Sequence, residues 1–177
     1  MRKVLFIFGE LSDGDVDWLA KAGERVSLDA GTVLIPVDSR VDHLYILLDG
    51  QLAIKARNGA QVAKLESGEI VGEMSLVDPA PTSVSVEVAQ DATLFRIPNS
   101  KLRQNLSADS AFAARFYRAI CIFLADRLRA TTRRLGYGPQ EETESAAATG
   151  ELNENVMDTV HLAGARFARM LQKMMST

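Results

Sequence analysis

The residues with the clearest chemical potential lie in the segment 72–86, where a Gly-Glu pair precedes one predicted helical turn, a proline-containing loop and a β-branched strand. A helix N-terminus exposes unpaired backbone N–H groups and the positive end of its dipole, which suits an anion such as phosphate. The carboxylate of Glu73 could accept hydrogen bonds from sugar hydroxyls. The segment therefore predicts a site for a ligand that carries both groups.

Other kinds of chemistry find little support in the sequence. The two histidines, His43 and His161, fall in different predicted elements, so they do not suggest a metal site. Cys121 is the single cysteine, and its apolar helical surroundings predict a small buried side chain rather than a reactive thiol. Because no nucleophile and base pattern is present, we expect neither an enzyme nor a resident cofactor.

The composition is that of an ordinary globular domain. The chain has 177 residues, of which 47% are hydrophobic and 24% charged, and its net charge of −3 does not suggest nucleic acid as a partner. The apolar run Val4–Phe8 is too short for a signal peptide, and no stretch is long enough to cross a membrane. We therefore expect a cytoplasmic protein with no membrane attachment.

The pattern of apolar residues predicts helices at both ends of a region of strands. Residues 11–24 favour a helix with Ser12 as its N-cap. From Val26 to Ile97, short alternating runs separated by turns predict about seven or eight strands, with hairpin signals at Asp49-Gly50 and Asn58-Gly59. Such spacing is typical of a sandwich, a jelly roll or a small barrel.

A long helix is predicted from Asp109 to Leu135, with an apolar stripe wide enough to cover the strands and also to contact a partner. The expected contacts of a homodimer are Phe116, Ile120, Phe123 and Leu124. The arginines of this helix are interpreted as a solvated face or as a docking site for an acidic partner; they are Arg115, Arg118, Arg127, Arg129, Arg133 and Arg134.

Three regions are predicted along the chain. Residues 1–137 form the main domain, residues 138–152 an acidic linker, and residues 153–177 an amphipathic helix that docks on the domain or on a second subunit. Because the residues after Leu135 predict a linker and one helix, no helix-turn-helix is visible and no binding to nucleic acid is expected.

The segment 72–86 resembles the phosphate-binding cassette of the cyclic nucleotide-binding domain family. Further similarity lies in the turn and strand at 30–34, in the segment 44–50 and in the order of the elements. The resemblance implies an α+β, mainly β fold: an antiparallel β jelly roll with an N-terminal helix, a long C-terminal helix and one further terminal helix. Asp38 replaces one glycine of the family pattern, and aspartate tolerates the left-handed geometry that this turn needs.

The same resemblance implies roles for individual residues. Glu73, after Gly72, corresponds to the carboxylate that binds the ribose 2′-hydroxyl. Met74 and Ser75 correspond to the backbone amides that meet the cyclic phosphate. The implied ligand is a cyclic nucleotide such as cAMP or cGMP. Thr82 stands where the family usually has a phosphate-binding arginine, and Ser83 follows it at a position that often touches the phosphate.

The absent arginine at position 82 has a calculable effect. A hydrogen bond to a charged group contributes roughly 1.5–3 kcal/mol, so its loss weakens binding by about one to two orders of magnitude. Thr82 can donate only one neutral hydrogen bond. Four other arginines are candidates to replace the charge, although each is also typical of a solvated surface: Arg40, Arg57, Arg115 and Arg118.

Two functions remain open at this point. The first is a stand-alone regulatory module of the cyclic nucleotide-binding type, in which ligand moves the long helix and a protein partner detects the movement. The alternative is a nucleotide-blind scaffold, in which the fold persists, the pocket is silent and the C-terminal helices mediate dimerisation or protein interaction.

Overall fold

The computed structural model describes residues 7–134 and 154–175, and the linker predicted at 138–152 lies outside the described residues. A short helical segment at 7–10 comes before the main elements. In chain order these are α1 (Asp13–Ala22), β1 (Glu24–Leu28), β2 (Val33–Ile35), β3 (His43–Ala56), β4 (Gln61–Glu66), β5 (Ile70–Val71), α2 (Met74–Val77), β6 (Val84–Pro98), α3 (Asn99–Ala108), α4 (Ser110–Arg134) and α5 (Glu154–Met175).

Two long strands, β3 and β6, organise the sheet. They pair antiparallel from His43↔Pro98 to Ala56↔Val84. On the far side of β6 lie β1 and β2, and on the far side of β3 lie β4 and β5. The mainly β, antiparallel jelly roll with flanking helices that the sequence predicts is confirmed.

The predicted hairpin at Asp49-Gly50 is wrong, because the segments on both sides of it form one continuous strand, β3. The described residues form six strands rather than seven or eight. Gly50 lies inside β3, where the pairing with β6 shifts register on both sides of Asp49. Its φ is +89°, and a Cβ there would collide with the backbone of Asp91 and Ala92. Gly50 therefore marks a bulge where the two long strands bend together.

Two other turn predictions are confirmed. Gly59 has a φ of +82° and closes the β3–β4 hairpin through a hydrogen bond from its N–H to the carbonyl of Ala56, 2.8 Å long. Asp38 has a φ of +58°, the left-handed geometry expected of an aspartate in place of glycine.

The sheet separates two apolar cores. Side chains alternate along the strands, so Leu44 and Ile46 pack with the helices, whereas Leu47 and Leu52 pack inside the jelly roll. The helix-side core also contains Leu76 of α2 and the buried face of α4. The cassette helix therefore contacts the same core as the long helix.

A capping box fixes the start of α1. The hydroxyl of Ser12 accepts a hydrogen bond from the backbone N–H of Asp15, and the carboxylate of Asp15 accepts one from the N–H of Ser12. Arg115 of α4 donates two hydrogen bonds to the same carboxylate, from Nε at 2.6 Å and from Nη2 at 2.9 Å. Asp15 therefore joins the first helix to the long one.

The terminal helix α5 docks on α1. Ala163 and Met170 are fully buried, and the rings of Phe167 and Phe8 lie 5.6 Å apart. Arg166 donates from Nε to Asp13, 2.7 Å away, and Arg169 donates to Asp17, 2.9 Å away. Of the two predicted docking surfaces, α5 uses its own domain. No described helix is both long enough and apolar enough to cross a membrane.

The predicted dimer contacts need correction. Phe116, Ile120 and Phe123 are each only 1% exposed and belong to the helix-side core of their own chain, and Leu124 packs against that core. Phe116, Ile120 and Phe123 are used for internal packing and do not offer a free surface, whereas Leu124 is only partly buried. Cys121, predicted to be buried, is exposed.

The Asp15 cluster yields a first prediction. Burial alone would raise the pKa of the Asp15 carboxyl, but hydrogen bonds from Arg115 and Ser12 hold it below its ordinary 3.8. The charged form therefore stabilises the fold above that value, and this stabilisation disappears as the pH falls through the lowered pKa. Asp15→Asn should reduce the free energy of unfolding near neutral pH by about 2 kcal/mol.

Urea unfolding at a series of pH values tests this prediction. The gap between wild type and Asp15→Asn should narrow as the solution is acidified. Asp29→Asn, which changes an exposed aspartate, is the matched control and should leave the unfolding free energy nearly unchanged. A gap that stays constant with pH would contradict the assigned role of the Asp15 charge.

Candidate functional site

A sharp turn places the cassette beside β3. Strand β5 pairs with β3 through Tyr45↔Val71, and Gly72 follows with a φ of +88°. A Cβ on Gly72 would collide with the carbonyl oxygen of His43, so no other residue fits this turn without moving β3. Glu73 comes next and precedes the single turn of α2.

The cassette forms one side of a pocket of about 100 Å³ that opens to solvent. Strand residues supply apolar walls, and a single arginine of α4 reaches in from the helix side. The lining residues are Ile35, Val41, Ile54, Val71, Gly72, Glu73, Met74, Ser75, Thr82, Val84, Val86 and Arg127.

Glu73 is buried and paired with that arginine. Its side chain is 2% exposed, and its Oε1 accepts a hydrogen bond from Arg127 Nη1 at 2.6 Å. The long helix therefore supplies the counter-charge to the carboxylate on which the predicted site is centred. Removal of either partner would leave the other charge buried and unpaired.

Arg127 is held in place by the helix that carries it. Its guanidinium lies 5.3 Å from the ring centroid of Phe123, one turn earlier in α4. Its side chain is 25% exposed, but the Nη2 atom is buried and has no hydrogen-bond partner among the described residues. A buried donor without an acceptor is unfavourable, and this one belongs to a side chain that lines the pocket.

Burial raises the pKa of the Glu73 carboxyl, and the nearby positive charge of Arg127 only partly offsets this effect. The charge of Glu69 acts in the same direction as burial. The carboxyl of Glu73 thus binds a proton more readily than an exposed glutamate.

Thr82 lines the pocket but has a structural task. Its hydroxyl donates to the carbonyl of Pro36 at 2.7 Å and accepts from the N–H of Ser39 at 3.2 Å. Two backbone hydrogen bonds join the same segments, from Asp38 N to Thr82 O and from Thr82 N to Ser39 O. Since its hydrogen is already donated, Thr82 does not supply the neutral hydrogen bond expected for a phosphate in this conformation.

The other predicted site residues divide into two groups. Gly72, Met74 and Ser75 line the pocket with Glu73, as the cassette pattern predicts, although the Met74 side chain is 64% exposed. Ser83 is exposed and is not one of the lining residues. The carbonyl of Ser75 also accepts a hydrogen bond from Arg103 Nη2 of α3, at 2.7 Å.

None of the four arginines considered as replacement cations is among the described residues that line the pocket. Arg57 pairs with Asp38, Arg115 with Asp15 and Arg118 with Glu10, while Arg40 is exposed in the loop before β3.

The cation that lines the pocket is Arg127, which was interpreted from the sequence as part of a solvated face or of a docking site for an acidic partner. A signal was present, because Arg127 falls four residues after Phe123 and seven after Ile120. It therefore continues the buried stripe of the helix.

Comparison with known proteins agrees with the fold and the cassette. Residues 25–109 match the model of the family described as the cyclic nucleotide-binding domain. A cyclic nucleotide-binding domain from Methylobacillus flagellatus superposes with a TM-score of 0.68 at 21% identity, covering 81% of this chain and 85% of that one. Residues 25–109 therefore match the cyclic nucleotide-binding domain family, and the described fold is that of such a domain.

Curated relatives share this domain within longer chains. An uncharacterized NTE family protein of Mycobacterium tuberculosis is 25% identical over 128 residues, which are 72% of this chain and 22% of that protein. The Pycsar effector protein XpPycTIR of Xanthomonas perforans is 29% identical over 114 residues, which are 62% of this chain and 35% of that protein. The chain thus spans about a fifth to a third of the length of these relatives.

The ion pair leads to a second prediction. Arg127→Gln should raise the pKa of Glu73 further, because the offsetting charge disappears and the burial remains. The folded state then retains its proton to higher pH than the unfolded chain. The variant should therefore lose stability, relative to wild type, as the pH rises above the ordinary glutamate value of 4.5.

Carbon-13 NMR of the Glu73 carboxyl and urea unfolding across the same pH range measure the two effects. Arg129→Gln removes an exposed arginine from the same helix and is the matched control. An identical Glu73 titration in both variants would show that Arg127 does not control this carboxyl.

Proposed function

We propose that the chain is a regulatory module that binds a cyclic nucleotide in the cassette pocket and transmits binding to a protein partner through the long helix. One observation carries the proposal: the pocket is closed by the cassette on one side and by Arg127 of α4 on the other. A ligand seated there would contact both elements. The role proposed is binding and signalling rather than catalysis.

The pocket offers complementary surfaces to each part of such a ligand. The carboxylate of Glu73 can accept from ribose hydroxyls, and the apolar side chains of Ile35, Ile54 and Val86 can pack against a base. The cassette turn supplies the backbone amides of Met74 and Ser75. Because position 82 carries no charge, we propose a weaker affinity than in a pocket that keeps the cassette arginine.

Two contacts could carry the signal from the pocket to the helices. Ser75 accepts a hydrogen bond from Arg103 of α3, and Glu73 accepts one from Arg127 of α4. A ligand that binds Glu73 must change or share the Arg127 contact. The position of α4 can then respond to the ligand, provided that the ligand binds the two helix positions with different affinity.

Titration with cyclic nucleotides tests the proposal. Calorimetry with cAMP and cGMP should show binding to the wild type at micromolar affinity. Thr82→Arg should bind tenfold or more tightly, because it adds a charged donor near the phosphate. Thr82→Val is the shape-matched control, since it removes the hydroxyl and adds no charge.

Hydrogen exchange supplies the second readout. Saturating ligand should change the protection of amides in α4, whereas unchanged protection would argue against signalling through this helix. If only Thr82→Arg binds, the pocket has the right shape but lacks charge, and the nucleotide-blind scaffold becomes the better account. The hydrogen bond that the Thr82 hydroxyl donates to the carbonyl of Pro36 is the observation that favours this second candidate.

We further propose that the chain forms a homodimer through the outer face of α4. This surface, here called the α4 seam, consists of Tyr117, Cys121, Leu124 and Leu128. Their spacing of four, three and four residues is that of a coiled-coil seam. Tyr117 is 41% exposed and Leu128 68% exposed, so the seam is accessible, unlike the buried side chains Phe116, Ile120 and Phe123.

Cys121 makes the seam testable. In a parallel two-fold dimer it would face its own copy, so mild oxidation should give a disulfide-linked dimer that Cys121→Ser cannot form. Leu128→Glu should convert the dimer to a monomer in light scattering. Val62→Glu is the matched control, because Val62 is 52% exposed on β4 and lies away from the seam. A monomeric wild type at micromolar concentration would rule out this interface.

A further inference from the structure

We infer that Arg127 is the anion-binding residue of the pocket and that its free Nη2 receives the phosphate oxygen that a cassette arginine would otherwise bind. The inference rests on the proposed function, since it names the residue that recognises the charged part of the ligand. It concerns a cation carried by the long helix rather than by the cassette.

The geometry of the guanidinium supports this role. Arginine presents its N–H groups in a rigid fork, so one side can be engaged while the other remains available. Here Nη1 donates to Glu73, and Nη2 is buried with no hydrogen-bond partner among the described residues, on a side chain that lines the pocket. The guanidinium also lies 5.3 Å from the centroid of the Phe123 ring. An anionic oxygen bound beside Nη2 would satisfy this donor.

The pocket contains no competing cation within the described part of the chain. Arg127 is the single basic residue among those that line it. The hydroxyl of Thr82 already donates its hydrogen to Pro36. A phosphate monoester, or the phosphodiester of a cyclic nucleotide, would therefore find its charged donor on α4.

A simpler role for Arg127 is to neutralise the buried Glu73 and do nothing else. The two roles differ when Glu73 is made neutral as well. If Arg127 serves only as a counter-ion, it becomes dispensable in a Glu73→Gln background. If Nη2 binds the anion, Arg127 remains necessary in that background.

NMR titrations with inorganic phosphate at low ionic strength separate these roles. Glu73→Gln should bind phosphate at least as tightly as the wild type, because a nearby negative charge has been removed. The double variant Glu73→Gln with Arg127→Gln should bind it about 10- to 100-fold more weakly. Arg129→Gln should match the wild type. Equal phosphate affinity with and without Arg127 in the Glu73→Gln background would overturn the inference.

A parallel titration with cAMP distinguishes this inference from the proposed function. Phosphate binding that depends on Arg127, together with no binding of cAMP, would reject the nucleotide proposal and leave the anion site standing. Binding of cAMP that is unaffected by Arg127→Gln would reject the anion site and leave the nucleotide proposal standing. If the wild type binds neither probe, both are rejected.

Arg127→Lys covers the case in which a glutamine variant does not fold. Lysine keeps the charge but lacks the fork, so it cannot engage Glu73 and an anion in the same way. Its affinity for phosphate should fall below that of wild type by several-fold, with circular dichroism confirming the fold. An unchanged affinity in Arg127→Lys would show that the fork of Arg127 does not bind the anion.

Discussion

The pairing of β3 with β6 is the constraint on which the rest of the molecule depends. It gives the sheet two apolar faces, one inside the jelly roll and one beneath the helices. Strand β5 is attached to β3, so the cassette that follows it is placed relative to the same strand pair. Because Leu76 packs in the helix-side core while Glu73 lines the pocket, a few residues of the cassette connect the pocket to the helix side of the sheet.

The Glu73–Arg127 ion pair couples the cassette energetically to the long helix. A buried carboxylate is unfavourable by itself, and its partner is provided by a different element, the long helix. The position of α4 and the protonation of Glu73 therefore depend on each other. At Asp15, the hydrogen bonds from Arg115 and Ser12 outweigh burial, so the pKa of the carboxyl is lowered. At Glu73, burial outweighs the charge of Arg127, so the pKa of the carboxyl is raised.

Local signals in the sequence predicted those features that local geometry decides. The Ser12 cap, the Asn58-Gly59 turn and the left-handed Asp38 all depend on a residue and its neighbours. The hairpin predicted at Gly50 was wrong because a glycine with positive φ is common both in hairpin turns and in bulges. Which of the two forms depends on how closely a strand distant in sequence approaches. Phe116 and Phe123 were misjudged because amphipathicity predicts that a face is buried but not against which surface.

Position 82 and position 127 are best understood together. The hydroxyl of Thr82 joins the cassette loop to the segment before β3 by hydrogen bonds. The residue at the position where the resemblance implies an arginine therefore stabilises the wall of the pocket and supplies no charge. The positive charge at the pocket belongs to the helix. A cation on the cassette would meet a phosphate wherever the helix lies, whereas a cation on α4 is available only when the helix is close. The apparent affinity would then decrease as the fraction of molecules with a docked α4 decreases. Ligand binding would in turn increase that fraction.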